Sequence, residues 1–400
     1  MKKLLPCVIG LGYVGLPVFL SLKKKFTVIG FDVNKERVVN LKKLNDTNNE
    51  FNKKELKLSG GSSITNNHSD LKGCNFFIVT VPTPIKQNKQ PDLKYIISAF
   101  KTISKYIKKD DIVFLESTVF PGTTERICKK IIEKKKKIKF HIGYSSERIN
   151  PGDKINNIKN IKKVVAIKKD KKSLPAVKKI YKTISKKLIF SENIKEAELS
   201  KLIENTQRDL NIALINEIMI LCHISKLNFD EVIKLARSKW NFLKFKPGLV
   251  GGHCLPVDPY YLSYYAKKMK FKTKVTLAGR NINNYMEKFI FKKIFEKINK
   301  IKNLNQKKIV VAGLTYKPNV ADLRNSLALK IFKKLKRKIS NVVAYDPTIN
   351  RKISKNLSIE TNFSKIKNAH TFIFLVKHNE FKGLYSYLKK KGKIIIDPFA

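Results

Sequence analysis

The run Gly251-Gly252-His253-Cys254-Leu255-Pro256-Val257-Asp258-Pro259 places a thiol, an imidazole and a carboxylate within a few residues of one another. Asp258 followed by Pro259 reads as an N-cap with proline at the first helical position, which sets Cys254 shortly before a helix amino terminus. A thiol in that position, with a cation nearby, is biased toward thiolate and toward covalent nucleophilic chemistry. The competing expectation is an inert buried cysteine beside a structural cap. His253 adjoins Cys254, but adjacent side chains diverge and no further ligands stand at zinc spacing, so no metal centre is expected. A candidate cation is Lys201, which with Asn205 lies four residues apart on one face of a helical stretch, a pair suited to a developing oxyanion. By position alone such a pair is equally legible as a solvated helix face.

A second chemistry begins at the amino terminus. Gly10-Leu11-Gly12-Tyr13-Val14-Gly15 follows an apolar strand and opens an apolar helix, the context of a dinucleotide fingerprint. Gly10 permits the tight turn, Gly12 lets backbone N–H groups approach a pyrophosphate, and Gly15 lets helix and strand pack closely. Asp32 stands at the end of the next strand, about 20 residues on, where its carboxylate accepts from ribose hydroxyls and repels a 2′-phosphate. NAD is therefore expected over NADP, with Arg37 nearby working in the opposite direction. Val81-Pro82-Thr83-Pro84 and Glu116-Ser117-Thr118-Val119 each follow a strand, so Thr83 and Thr118 are candidates to touch a cofactor or a catalytic water; ordinary turn and cap duty is the alternative. Gly313-Leu314-Thr315-Tyr316-Lys317-Pro318, leading into Asp322-Leu323-Arg324-Asn325-Ser326 and a helix, reads as a cationic loop and capped helix start able to hold an anion such as a nucleotide diphosphate.

These residues need elements to position them. Apolar runs at Cys7–Ile9, Thr27–Ile29, Phe76–Val79, Ile112–Leu115 and Val164–Ile167 alternate with helical stretches, which implies βαβ units and a parallel, doubly wound sheet over residues 1–190. From Ile194 to about His223 the spacing of Leu199, Leu202, Ile203, Leu210, Ala213, Leu214 and Ile218 is helical, without Gly or Pro. A long buried helix is expected there, opening a helical middle domain over 191–303, and such a helix often forms a dimer interface. Strands return at 308–313, 342–346, 372–376 and 394–397, a smaller α/β domain over 304–400. The fold class expected is α/β: two Rossmann-like doubly wound domains joined by a helical domain.

A chain of 400 residues outgrows one hydrophobic core. No stretch approaches the ~20 apolar residues of a membrane span, and the five cysteines, at 7, 74, 128, 222 and 254, form no CxxC pair. A cytoplasmic protein without disulfides or membrane insertion is expected. The 84 Lys and Arg against 31 Asp and Glu leave a formal charge of +53. Such an excess invites a nucleic-acid reading, but the lysines are scattered along the whole chain without an Arg-rich arm, so no specific nucleic-acid partner is expected and the charge reads as compositional bias on solvated faces.

In order along the chain, Gly10 through Gly15, Val81 through Pro84, Glu116 through Thr118, Tyr144-Ser145-Ser146-Glu147, Gly251 through Cys254 with Asp258, and Gly313 through Arg324 resemble the UDP-glucose/GDP-mannose dehydrogenase family over essentially the whole length. The stretches Glu204 to Ala213 and Lys239 to Cys254 resemble its branch acting on UDP-N-acetylhexosamines for acidic surface polysaccharides. The resemblance implies a four-electron oxidation at C6 using two NAD in succession. It implies that Cys254 captures the aldehyde as a thiohemiacetal and becomes a thioester, and that Lys201 and Asn205 steady the oxyanion and substrate. It gives Asp258, Glu147 and Thr118 the hydrolytic water and proton transfer, and makes Gly251, Gly252, Glu147 and Lys317 substrate contacts. Gly10, Gly12, Tyr13, Val14, Gly15, Asp32, Arg37, Thr83, Thr118 and Arg324 fall to the cofactor. The chain departs from the branch at Leu255-Pro256, where Ile-Gly is usual, and any final segment after Ala400 is expected to be short or absent. The alternatives are a UDP-glucose or UDP-ManNAc 6-dehydrogenase, a single-step NAD-dependent hydroxyacid dehydrogenase needing neither nucleophilic cysteine nor second α/β domain, and a basic nucleic-acid-binding protein.

Overall fold

The computed structural model describes residues 3–149 and 158–399. The chain divides into two compact units, 1–204 with 260–271 and 205–259 with 272–400.

The first unit is built on eight strands: β1 (Pro6–Ile9), β2 (Ile29–Phe31), β3 (Ser63–Thr65), β4 (Phe76–Val79), β5 (Ile112–Leu115), β6 (His141–Ser145), β7 (Lys162–Ile167) and β8 (Lys187–Ser191), in the order β3-β2-β1-β4-β5-β6-β7-β8. Successive side chains of a strand point to opposite faces. Cys7, Ile9, Phe77, Val79, Val113 and Leu115 accordingly enter one core, while Val8, Phe76, Ile78, Ile112 and Phe114 enter the other. Burial on both faces is why these strands read as unbroken apolar runs. The strand order reverses between β1 and β4, the switch point outside whose carboxyl ends open α/β sheets bind ligands.

Three details differ from the sequence reading. β2 begins two residues late, because the Val28 N–H bonds the Ser62 hydroxyl (3.1 Å) instead of a strand partner. β3, β6 and β8 were not expected; β8 is a largely exposed edge whose short apolar run, Leu188-Ile189-Phe190, stands between Lys187 and Ser191, and β6 carries His, Gly, Tyr and Ser. The sheet is also not wholly parallel, since β7 runs antiparallel to β6, with Gly143 opposite Ile167. A parallel partner needs a crossover long enough to return the chain to the same edge, usually a helix, and the described residues between β6 and β7 contain none.

The second unit carries five strands, β9 (Ile309–Ala312), β10 (Val342–Tyr345), β11 (Ile359–Glu360), β12 (Thr371–Phe374) and β13 (Ile394–Ile396), all parallel in the order β11-β10-β9-β12-β13. Ile309 and Val311 pack with Met286, Ile290, Ile294 and Ile298 of the helix Val275–Ile298, while Val310 and Ala312 face a smaller cluster around Phe372 and Phe381.

The helix expected from Ile194 runs Ile194–Ile224, with Leu202, Ala213 and Ile215 buried. It is not buried all round, as its stripe had implied: Ile203 and Leu214 are exposed, and Glu198, Lys201, Asp209 and Asn216 are buried instead. Polar groups occupy its inward face because hydrogen bonds hold them there, Glu198 at the 122–124 turn, Asp209 at Arg280 and Asn216 at Asn283. No helix among the described residues is long and apolar enough to cross a membrane.

Candidate active site

In the first unit the glycine loop is held from three directions. Gly10 takes φ +93°, donates its N–H to the Phe31 carbonyl (2.8 Å) and accepts the Thr80 hydroxyl at its own carbonyl (2.7 Å). A Cβ on Gly15 would lie 1.7 Å from the Gly10 carbonyl oxygen, so helix and loop touch directly. A Cβ on Gly12 would meet nothing within 4 Å, so that position is left open to solvent or ligand. Asp32, half-buried, accepts from the Leu11 N–H (2.7 Å) and the Asn34 N–H (2.9 Å). Each carboxylate oxygen has two acceptor sites, so capacity for ribose hydroxyls remains. Gly10, Gly12, Gly15 and Asp32, with Tyr13 and Val14 half-buried between them, thus form a cradle of the shape and polarity that NAD requires.

Arg37 was read as a cation that could welcome a 2′-phosphate, and its surroundings correct this. Its guanidinium is buried, donating to the Leu11 carbonyl (2.9 Å), Asp46 (2.7 Å) and the Thr47 hydroxyl (3.0 Å). Its charge is spent on Asp46, whose side chain is fully buried, and on bracing the loop from beneath.

Farther along the carboxyl edge stand the loops after β4, β5 and β6. Ser117 donates to the Val81 carbonyl (2.6 Å), tying the segment of Thr118 to that of Thr83, and Tyr261 donates to the Pro84 carbonyl (3.1 Å). Thr83 and Thr118 are both half-buried. Three groups that the sequence reading had not singled out organise this edge. Glu198, fully buried on the long helix, accepts from the Gly122 N–H (2.5 Å), the Thr124 N–H (2.8 Å) and the Thr124 hydroxyl (2.7 Å). Burial pushes its carboxyl up to about 7, against three donors that favour the anion. Lys201 follows one turn later and is itself buried, 7% exposed. Lys163, at the start of β7, bonds Glu116 (2.9 Å) and Glu147 (3.2 Å), and Tyr181 donates to Glu116 (2.8 Å). For Lys163 the trace in the sequence is a charge abutting an apolar run, as Glu116 also abuts Leu115; Glu198 and Tyr181 leave none.

In the second unit Cys254 sits in a turn whose Cys254 carbonyl accepts from the Val257 and Asp258 N–H groups (both 2.9 Å), four residues ahead of the first residue of the helix Asp258–Lys268. Among the described residues it is the one cysteine that is not buried. Burial pushes the Cys7 and Cys128 thiols well above their usual range. The structure brings Asp258 and Asn205 together, the Asn205 amide donating to the Asp258 carboxylate (2.5 Å). Asn205 thus has a partner other than Lys201.

The Gly251-Gly252 pair is fixed by close approach. A Cβ on Gly251 would lie 2.8 Å from the Asn325 carbonyl oxygen, and one on Gly252, at φ +86°, 2.7 Å from the Tyr316 ring. Gly252 also donates to the Arg324 carbonyl (3.2 Å) and accepts from the Asn325 amide (2.9 Å). The cysteine loop is therefore docked on the loop after β9, the one that carries half-buried Lys317. Arg324 spends its guanidinium on Asp322, two residues earlier (2.6 and 2.9 Å). Three residues before Gly251, the Gly248 backbone is held by a buried network. Arg280 pairs with Asp209 (2.5 Å), Asn283 donates to Asp209 (2.8 Å), and Asn216 exchanges two hydrogen bonds with the Gly248 backbone (2.9 and 3.1 Å).

Comparison with known proteins shows the family. Three models of one family match in succession: the UDP-glucose/GDP-mannose dehydrogenase family NAD binding domain over residues 5–185, its central domain over 195–285 and its UDP binding domain over 310–400. The chain is 40% identical to a UDP-N-acetyl-D-glucosamine 6-dehydrogenase of Pseudomonas aeruginosa, covering 98% of this chain and 95% of that protein. It is 34% identical to a UDP-N-acetyl-D-mannosamine dehydrogenase of Methanocaldococcus jannaschii, covering 98% and 91%. Its structure resembles that of a UDP-D-ManNAc dehydrogenase from Pyrococcus horikoshii with a TM-score of 0.82 at 30% identity, covering 96% and 93%.

Proposed function

Because the chain belongs to the UDP-glucose/GDP-mannose dehydrogenase family and is an NAD-dependent nucleotide-sugar 6-dehydrogenase, we propose that it oxidises a UDP-N-acetylhexosamine, UDP-GlcNAc or UDP-GalNAc, at C6 to the uronic acid through a covalent adduct on Cys254. The whole-length identity to a UDP-N-acetyl-D-glucosamine 6-dehydrogenase supports the substrate. The observation that carries the mechanism is that Cys254 is the one cysteine not buried among the described residues, in a turn opening onto a helix start. In this reading residues 1–190 hold NAD, 191–303 supply Cys254, and 304–400 hold the UDP moiety.

NAD, when bound, accepts two electrons and a proton's worth of hydrogen at each of two steps. What the chain's residues do follows from their chemistry. The Cys254 sulfur adds to the C6 aldehyde, and Lys201 and Asn205 balance charge on its oxygen. This thiohemiacetal still carries the C6 hydrogen, so it can be oxidised to a thioester while the aldehyde stays attached. Water then cleaves the thioester, the carboxylate departs and the thiol is regenerated. Asp258, steadied by Asn205, and Glu147 with Thr118 hold that water and take its proton.

The test is NAD reduction against UDP-GlcNAc, UDP-GalNAc, UDP-ManNAc and UDP-glucose, with two NADH expected per sugar and no free aldehyde. Cys254→Ala should lower uronate formation by on the order of 10⁴ or more, the scale seen when a nucleophile is removed, while NAD still binds. One NADH per sugar, or an active Cys254→Ala enzyme, would sink the covalent route. UDP-glucose or UDP-ManNAc as the best substrate would overturn the substrate choice alone.

The same proposal includes a homodimer through the long helix. Ile203, Leu214 and Leu221, spaced 11 and 7 apart, fall on one outward face and are each more than half exposed, and Trp240 is 92% exposed. A Leu214→Glu/Leu221→Glu variant should sediment as a folded monomer while the parent sediments as a dimer; a monomeric parent removes this part of the proposal. Cysteines that form no disulfide among the described residues fit a reducing, cytoplasmic setting, which cell fractionation would contradict by finding the protein outside that compartment.

A further inference from the structure

Beneath the loop that carries Glu147 lies a buried cluster that the reaction scheme above leaves unused. We infer that Lys163 is a positioning residue that supplies the counter-charge of the Glu147 carboxylate and fixes its direction, by sharing one ammonium between Glu147 and Glu116. The inference rests on the role given to Glu147 in the proposed reaction.

The geometry is specific. Lys163 is 4% exposed, and its ammonium meets Glu116 Oε2 at 2.9 Å and Glu147 Oε2 at 3.2 Å. Glu116 is fully buried and takes a second bond at Oε1 from the Tyr181 hydroxyl (2.8 Å). Glu147 takes its second bond at Oε1 from the Ile149 N–H (2.5 Å). Among the described residues, the charged and titratable groups bonded within the cluster are Glu116 after β5, Glu147 after β6, Lys163 on β7 and Tyr181 on the helix Leu174–Ile184. Arg148, beside Glu147, is turned away to Glu204 and the Lys162 carbonyl.

Two carboxylates and one ammonium leave one net negative charge in a buried place. Burial alone would lower the Lys163 ammonium, and the two carboxylates more than reverse this, so it stays charged. Burial pushes the Glu116 carboxyl up and the charge on Glu147 adds to the push, while Lys163 pulls it down. Burial, with Glu116 adding to it, holds the Tyr181 phenol well above its usual range, so its O–H stays a donor. Remove the ammonium and two carboxylates face each other without compensation, a situation in which one of them takes a proton. Glu116, the more deeply buried, is the first to take it, and Glu147 is left with one backbone N–H and no cationic partner within the cluster. A protonated Glu147 can neither hold the hydrolytic water as an acceptor nor take its proton.

The experiment measures the pH dependence of uronate formation and, separately, the ionisation of Glu147 by carboxylate infrared bands in protein labelled with ¹³C-glutamate, with a Glu147→Gln spectrum subtracted. Lys163→Met should move the acid limb of turnover, and the Glu147 band with it, upward by at least about one pH unit. Lys163→Met/Glu116→Gln should move both upward by no more than that, since one repelling charge is gone. Glu116→Gln alone, which leaves the ammonium wholly to Glu147, should move them downward or leave them, and Lys163→Arg should stay nearest the parent. A merely structural lysine would lower turnover at every pH without this ordering. An unmoved Glu147 band in Lys163→Met and Lys163→Met/Glu116→Gln overturns the inference; if Lys163→Met does not fold, an upward shift in Glu116→Gln does so. A band that moves as stated while the acid limb of turnover stays put upholds the inference about Lys163 and sinks the role of Glu147 in the reaction.

Discussion

The two Rossmann-like halves open on the same local device and then diverge. In the first, Gly10 at φ +93° donates to the Phe31 carbonyl (2.8 Å) and Leu11 donates to Asp32 Oδ2 (2.7 Å). In the second, Gly313 at φ +78° donates to the Tyr345 carbonyl (2.9 Å) and Leu314 donates to Asp346 Oδ2 (2.7 Å). A strand-end carboxylate thus pins a glycine turn in each. The first half then stays open, with Asp32 half-buried and Gly12 facing no protein atom. The second closes: Asp346 is fully buried, bonded also by Thr315, Thr348 and His378. Because the Asn319 N–H donates to His378 Nδ1 (2.9 Å), that nitrogen is the acceptor and Nε2 carries the proton offered to Asp346. One turn design is therefore left open in one half and closed into an internal brace in the other, and the sorting is done by what covers the aspartate.

The largest test of this contrast lies in the glycines. A Cβ on Gly313 would lie 2.0 Å from the Val376 carbonyl oxygen at a positive φ, so Gly313→Ala should lose roughly 3 kcal/mol or more of stability or fail to fold. Gly12→Ala meets no protein atom and should melt with the parent, yet raise the KM for NAD. Equal melting losses for the two would erase the distinction.

Next come the aspartates. Burial alone would raise the Asp346 carboxyl, but the bonds from His378, Thr348 and Leu314 outweigh it and hold it below its usual range. A carboxylate depressed by folding adds stability above its unfolded pKa and loses it as pH falls through the folded one, so the parent should shed this contribution below about pH 4. Asp346→Asn should cost roughly 2–3 kcal/mol at neutral pH and flatten the acid dependence in denaturant melts. Asp32→Asn should instead leave stability nearly unchanged and narrow the preference for NAD over NADP in kcat/KM. A parent that uses both cofactors equally would refute the role of Asp32.

The smallest expected contrast is between the arginines. Arg37 is buried with Asp46, and Arg37→Ala strands that carboxylate, for a loss of roughly 3 kcal/mol. The Arg324 side chain is 48% exposed on its pair with Asp322, so Arg324→Ala should change stability by about 0.5 kcal/mol or less. A chemical-denaturation midpoint for each decides the comparison, and a large loss at Arg324 would show its pair to be more than a surface one.

Much of this was legible because it is local. The apolar runs of β1, β4, β5, β9, β10 and β12 announce buried strands, that of β13 an edge strand with Ile394 exposed, and Gly10, Gly12, Gly15 and Asp32 stand at fixed spacing because a phosphate-binding turn allows few alternatives. What was missed lies where burial is not two-faced or the strand is short: β8 is a largely exposed edge whose Leu188-Ile189-Phe190 run stands between Lys187 and Ser191, and β11 has two residues. The outward stripe of the long helix misled the reading of its burial, since helical periodicity reports that a face is apolar and not what covers it.

The sequence alone determined the α/β alternation, the glycine turn with its aspartate, and the placing of Cys254 just ahead of the helix begun by Asp258-Pro259, each a matter of residues close together in the chain. Tertiary structure alone decided which charges meet. Arg37 finds Asp46, Asn205 finds Asp258, and Glu198 finds the 122–124 turn, across 9, 53 and more than 70 positions. Lys163 reaches Glu116 and Glu147 because β7 returns antiparallel to β6, so that its first residues lie beside the end at which Glu147 leaves the sheet. No spacing rule carries that information, because the partner of a buried charge is chosen by the strand direction and the desolvation it must offset, and both exist only once the sheet has formed.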